Sequence, residues 1–279
     1  MTDSLTVTLP DDCTTIALAG GPYSNFGAVG AFLHETSDIE ARFCLGDIGG
    51  FGPLPDRTLD LIRDSGLVCL QGNYDHAIGH GENDCGCGYI DPLDRHYAQV
   101  SFDYTESRTS ARHKEWLRAL PQQILIRWRG HRLLLCHGSP VQVNEFVWES
   151  ETPDATIAGW LDLHRVTGIC ATHSGLPWIR EVPGRGFWFN TGVLGRPAHE
   201  DSPRVFYGRI DLPPDSNAPQ PRLVELNYDP APVAAAMRAE GLPEVFAESL
   251  LGGRWTTCCN ILPATERVPR DRLASIELN

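Results

Sequence analysis

Four apolar segments of this chain each end on a residue able to hold a metal ion. Residues 41–45 run into Gly46-Asp47, 67–71 into Gly72-Asn73, 133–136 into His137, and 166–172 into His173. Apolar runs of four to eight residues closed by glycine or a polar residue read as buried strands. Ligands at the carboxyl ends of such strands converge on one crevice. A carboxylate, an amide oxygen and two imidazoles together suit one divalent ion such as manganese, iron or zinc.

The pattern around these segments predicts the rest of the framework. Strands are expected at 15–19, 42–45 and 67–71, with helices at 26–35 and 56–65 between them. Asn25 or Ser24 is placed to cap the first helix. Such a βαβαβ order implies a parallel sheet with right-handed crossovers. Further helices are expected at 110–120, 156–163 and 230–240. Segments 123–128 and 131–136 flank Arg129-Gly130, a hairpin signal. Segments 186–190, 204–211 and 222–228 read as strands of a second sheet. The fold class is therefore α/β, with two sheets packed face to face and flanked by helices.

Read in order, Gly21-Pro22-Tyr23, Gly46-Asp47, Gly72-Asn73-Tyr74-Asp75, Cys136-His137-Gly138 and Thr172-His173-Ser174-Gly175 resemble the five motifs of the calcineurin-like metallophosphoesterases. Those are D-x-H, G-D, G-N-H-[DE], a lone H and G-H-x-H. The likeness runs from about residue 14 to 253, so that 1–253 reads as one domain and 254–279 as a C-terminal extension. It implies that Asp47, Asn73, His137 and His173 hold one metal. The family's second metal takes the Asp and His of D-x-H and the last His of G-H-x-H. Gly21, Tyr23 and Gly175 stand at those positions, so that site has lost its private ligands. Tyr74 stands where the family has its catalytic histidine. The resemblance thus implies a hydrolase of a small phosphate ester with an altered, mononuclear centre, in which Tyr74 or His76 serves as the acid–base group.

At 279 residues and 42% hydrophobic content, the chain can bury a full core. A net charge of −13 argues against a nucleic-acid backbone as partner, because phosphate chains need a clustered basic surface. A small phosphorylated molecule needs only a metal and one arginine, and Arg196 is the candidate contact. Residues 1–8 lack the charged and apolar regions of a secretory leader, and no eighteen-residue apolar run exists to span a membrane. The reading is of a cytoplasmic protein.

Nine cysteines, an odd number, disfavour a disulfide framework in such a protein. Cys13, Cys44, Cys69, Cys136 and Cys170 fall in or beside apolar strands, where cysteine behaves as a small hydrophobe. Cys85, Cys87, Cys258 and Cys259 do not. Cys85 and Cys87 lie in a stretch, 76–104, that is long for a loop and that leaves the chain next to Asn73. Three readings of the pair stay open: a lid with two structural cysteines, a metal or redox cluster with Cys258 or Cys259, and thiolates replacing the lost metal ligands. Tyr23 and the aromatics of 144–150 are further candidates for the pocket wall. Two other functions compete with hydrolysis: a metal- or ligand-binding pseudoenzyme, and a metal or thiol reaction at Cys85 and Cys87.

Overall fold

The computed structural model describes residues 4–267. Ser4–Thr8 (β1) precedes Thr15–Ala19 (β2). Ile16 and Leu18 enter one core and Ala17 and Ala19 the opposite one, the two-residue period of an extended chain. Helix α1 (Phe26–Glu35) follows, with Asn25 Oδ1 accepting from Ala28 N at 3.0 Å as its cap. Next come β3 (Ala41–Cys44), α2 (Pro55–Asp64) and β4 (Val68–Cys69). The β2–β3 and β3–β4 pairs are parallel, as the βαβαβ order requires.

Two helices then occupy most of the expected loop at 76–104: α3 (Asn73–His80) and α4 (Pro92–Arg108). The local chemistry explains the second. Asp91 accepts from Leu93 N and Asp94 N, and Pro92 opens the helix where its missing N–H costs nothing. Only 81–91 is irregular.

The chain continues through α5 (Ala111–Arg118) into the hairpin of β5 (Gln123–Trp128) and β6 (His131–Leu135). Arg129 and Gly130 both have positive φ at its turn, as tight hairpins need. Helix α6 (Asp154–His164) leads to β7 (Gly168–Ala171), then β8 (Pro177–Val182) and β9 (Gly186–Thr191). The final elements are β10 (Val205–Asp211), β11 (Gln220–Leu226), α7 (Ala231–Ala239) and α8 (Glu244–Gly252).

The sheets have the orders β1-β5-β6-β7-β9-β8 and β11-β10-β2-β3-β4. The expectation that 186–190, 204–211 and 222–228 share a sheet is corrected. β9 pairs with β7 and β8, whereas β10 pairs antiparallel with β2. Side chains of Leu18, Phe43, Ile126, Leu133, Leu135 and Phe189 fill the space between the sheets. Helix α6 covers the outer face of the first sheet. Helices α1 to α4, α7 and α8 cover that of the second. The layering is helix, sheet, sheet, helix.

The segment after 253 packs back on this body: Trp255, Cys258 and Leu262 are buried. Of the C-terminal extension, 268–279 lie outside the described residues, as do 1–3 at the other end. Among the described residues, no helix is long and apolar enough to cross a membrane.

Candidate metal centre

Asp47 follows β3, Asn73 begins α3 after β4, His137 follows β6, and His173 follows β7. Strands β3 and β4 belong to one sheet, β6 and β7 to the other. Their carboxyl ends bring the four side chains to the top edge of the sandwich. All four are buried.

Two glycines allow the approach. A Cβ on Gly46 would lie 2.3 Å from Gly72 N, and one on Gly72 would lie 2.1 Å from Asp47 Oδ1. Asp47 has φ +54° and His173 φ +20°, conformations that cost a non-glycine residue free energy and recur at functional sites. Asp75 holds the first of these in place. Its carboxylate accepts from Asp47 N at 2.7 Å, Ile48 N at 3.0 Å and Gly72 N at 2.9 Å. Burial, then the neighbouring Asp47 charge, push its pKa up to about 6.

Hydrogen bonds set the direction of every donor group. Asp47 Oδ1 accepts from Tyr74 N at 3.0 Å, so that Oδ2 turns to His137 Nε2, 3.2 Å away. His137 Nδ1 lies 2.7 Å from the Leu45 carbonyl. A carbonyl only accepts, so Nδ1 carries a proton and Nε2 is the nitrogen turned to the crevice. That nitrogen also faces His173 Nδ1 at 3.2 Å. The ligand atoms of Asp47, His137 and His173 all lie within 4.8 Å of one another. Asn73 Oδ1 is buried with no hydrogen-bond partner, and His173 interacts with the Asn144 backbone.

These buried ligand atoms converge on one point, an arrangement that suits a cation. One proton serves the His137–Asp47 contact: burial opposes charging His137, but the Asp47 carboxylate prevails and holds its pKa above the ordinary value. Burial and then the adjacent His137 push the His173 pKa down to about 3, which keeps that ring neutral. Asp47, His137 and His173 form a group that could hold a metal ion. The Leu45 carbonyl behind His137 is the kind of outer partner that orients a metal-binding imidazole.

The other half of the crevice is filled. A Cβ on Gly21 would meet Val193 Cγ1 at 2.6 Å, and one on Gly175, at φ +76°, would meet the Trp255 ring at 2.8 Å. Beside His173 lies a pocket of about 10 Å³, room for about one water. Tyr23, Tyr89, Phe146, Arg196, Trp255 and Cys258 line it. Burial first, then Asp47, raise the Tyr23 phenol well above its usual pKa. Arg196 stacks on Trp255 at 4.2 Å and donates to the Thr257 carbonyl. Among the described residues no carboxylate pairs with it. Phe146 covers His173, with ring centroids 4.5 Å apart, and stacks on Trp148, so the aromatics of 144–150 do wall the pocket.

The remaining candidates fall elsewhere. Tyr74 sends its hydroxyl to Ser101 Oγ of α4 at 3.0 Å and packs among Phe51 and Phe102. His76 Nδ1 meets Gln71 Oε1 at 3.1 Å, and its Nε2 faces Glu82 at 3.3 Å. Asn73 starts a helix, so each following residue turns about 100° around its axis. That carries both side chains off the crevice and away from the acid–base role expected of them. Cys85 and Cys87 are joined to each other, which removes them as thiolate ligands and from a cluster with Cys258 and Cys259. Those two are free; Cys258 Sγ donates to the Asp94 carbonyl at 3.5 Å. The cysteine count does not expose a disulfide spanning one glycine. Asp75 and Trp255 are missing from the sequence reading of the site. A carboxylate three residues after Gly72, at a helix start, was the available signal for Asp75.

No family model matches the chain. It is 24% identical over 260 residues to an uncharacterized protein of Methanocaldococcus jannaschii, spanning 86% of this chain and 98% of that protein. The crystal structure of a metallophosphoesterase from Sphaerobacter thermophilus superposes with a TM-score of 0.65 at 22% identity, over 87% of this chain and all of that one. A hypothetical protein from Pyrococcus horikoshii superposes with a TM-score of 0.72 at 19% identity, over 86% and 98% of the two chains. The chain has the metallophosphoesterase fold, and the resemblance to the calcineurin-like proteins holds at that level.

Proposed function

We propose that this chain, built on the metallophosphoesterase fold, is a metal-dependent hydrolase of a small phosphate ester. Asp47, Asn73, His137 and His173 hold one divalent ion, of manganese, iron or zinc. The observation that carries the reading is the convergence of Asp47 Oδ2, His137 Nε2 and His173 within 4.8 Å, with the His137 proton committed to the Leu45 carbonyl. Bound there, a divalent ion supplies Lewis-acid chemistry toward a phosphate ester.

The chain's own residues do the rest. Asp75 holds the Asp47 turn rigid through three N–H groups. Tyr23, kept protonated, presents a phenol O–H beside His173, and Arg196 presents its guanidinium to the same pocket. Both donors suit a phosphoryl oxygen. Phe146, Trp148 and Trp255 keep water away. Because the pocket holds about one water, the segment bearing Trp255 must shift before an ester enters. That closure also favours a second reading, a metal-binding protein without turnover.

Elemental analysis of protein purified without chelator tests the first step, with one metal per chain expected and loss of metal in His137→Ala. Hydrolysis of an aryl phosphate with added Mn²⁺ separates the two readings. Full metal content in His137→Ala would overturn the ligand assignment.

A further inference from the structure

The irregular stretch at 81–91 returns the chain to the start of α3. There Asn73 Nδ2 donates to the Cys85 carbonyl at 2.7 Å and lies 3.4 Å from Cys87 Sγ. Both hydrogens of the amide are thereby engaged on one side. The amide is planar, so Oδ1 faces the other way, where it is buried without a partner. The reverse orientation would set two carbonyl-type oxygens 2.7 Å apart, with no proton between them. The Cys85 carbonyl therefore decides which end of Asn73 the crevice receives.

That carbonyl sits in a small ring closed by the Cys85–Cys87 disulfide. Gly86 and Gly88 have φ of +60° and +80°, which glycine alone adopts at no steric cost. Gly86 N donates to Asp84 Oδ1 at 2.7 Å, and Asn144 Nδ2 donates to the Gly86 carbonyl at 2.5 Å. With two sulfurs bonded across a single glycine, little freedom remains at the Cys85 carbonyl. With the bond cut, each cysteine regains its own rotamers, and one of the two Asn73 contacts is no longer held in place.

We propose that Cys85 and Cys87 are positioning residues for Asn73, and that their disulfide makes metal affinity depend on redox state: tighter when oxidised, weaker when reduced. The inference rests on the reading of Asp47, Asn73, His137 and His173 as metal ligands. The reductant is a small dithiol. One of its thiolates attacks a sulfur of the pair, and the other cysteine leaves and takes a proton. The second dithiol thiolate then cleaves the mixed disulfide. Two electrons and two protons reach the protein, and the reductant departs as a cyclic disulfide. A pocket of about 280 Å³ lined by Cys85, Cys87, Tyr89, Arg95, Ala98 and Gln99 gives such a molecule its approach. The other seven cysteines are already free, so reduction changes this pair alone.

The test measures Mn²⁺ dissociation constants, by competition with a chromophoric chelator, for the oxidised full-length protein, the anaerobically reduced protein, and Cys85→Ser/Cys87→Ser. Alkylation and mass spectrometry confirm that reduction exposes two further thiols. Loss of an outer-shell partner typically weakens metal binding about 10–100-fold, and that is the weakening expected in the reduced protein and in the double variant. Asn73→Ala should also bind weakly, and its affinity should no longer respond to reduction, an outcome that a merely structural disulfide would not produce. Equal affinity in both states, with His137→Ala abolishing binding, overturns this inference and leaves the metal site standing. Tighter binding on reduction, with thiolate-to-metal bands when Co²⁺ is substituted, overturns it in favour of direct ligation. No Mn²⁺ binding in either state overturns both the inference and the site.

Discussion

Gly72 and Asp47 touch so closely that a Cβ on Gly72 would lie 2.1 Å from Asp47 Oδ1. Gly72 itself is extended, with φ −85° and ψ 177°, a backbone any residue adopts. Its glycine identity is therefore a matter of space at the carboxylate, and the G-N step is tied physically to the G-D step.

Gly72→Ala should accordingly displace the Asp47 carboxylate while leaving the local backbone allowed. Overpacking of this kind costs about 1–3 kcal/mol. Mn²⁺ titration should find weak or absent binding, and thermal unfolding should move down. A variant that binds Mn²⁺ like the wild type would refute the close contact as a site constraint.

Mn²⁺ should stabilise the wild-type fold. A ligand bound only by the folded state adds about 2.7 kcal/mol at 100 times its dissociation constant. The melting temperature should therefore climb with Mn²⁺ concentration, and chelator should reverse the climb. His137→Ala should show a flat response. A parallel rise in both proteins would mean that the ion acts elsewhere.

Trp255 closes the pocket from the C-terminal segment. Its indole N–H donates to the Pro197 carbonyl at 2.6 Å, and the ring rests against Gly175 and Arg196. Trp255→Ala should destabilise the protein by about 3–5 kcal/mol and open the way to the metal crevice. If access limits turnover, hydrolysis of an aryl phosphate in the presence of Mn²⁺ should rise even as the melting temperature falls. Unchanged hydrolysis in folded variant would show that this segment is no barrier.

His199 makes the anchoring of that segment sensitive to pH. Its Nδ1 accepts from Trp255 N at 2.9 Å. Burial foremost, then Arg196 and Arg254, push its pKa down to about 4 from 6.5. Between those values the unfolded chain binds a proton that the folded chain refuses, so this contribution to stability is complete above about pH 6.5 and lost as the pH falls toward 4. Asn tolerates the φ of +62° here and can still accept through Oδ1, but it does not titrate. The drop in melting temperature from pH 7 to pH 5 should be smaller in His199→Asn. Parallel drops would exclude His199 as the titrating group.

The sequence by itself determined the α/β sandwich class, most strands and helices, and the four polar residues that close on one crevice. Those features are local: a run of apolar residues, its period and the residue that ends it are written along the chain, and β3, β4, β6 and β7 deliver Asp47, Asn73, His137 and His173 wherever their sheets lie. Tertiary structure alone decided that β9 and β10 belong to different sheets, and that Tyr74 and His76 turn away from the crevice. It alone placed Asp75 under the Asp47 turn, joined Cys85 to Cys87 beside Asn73, and set Trp255 where Gly175 leaves room. Each of these depends on which surface a side chain meets after folding. Strand pairing, helix rotation and steric filling are set by partners tens to hundreds of residues away, and periodicity along a single chain carries no record of them.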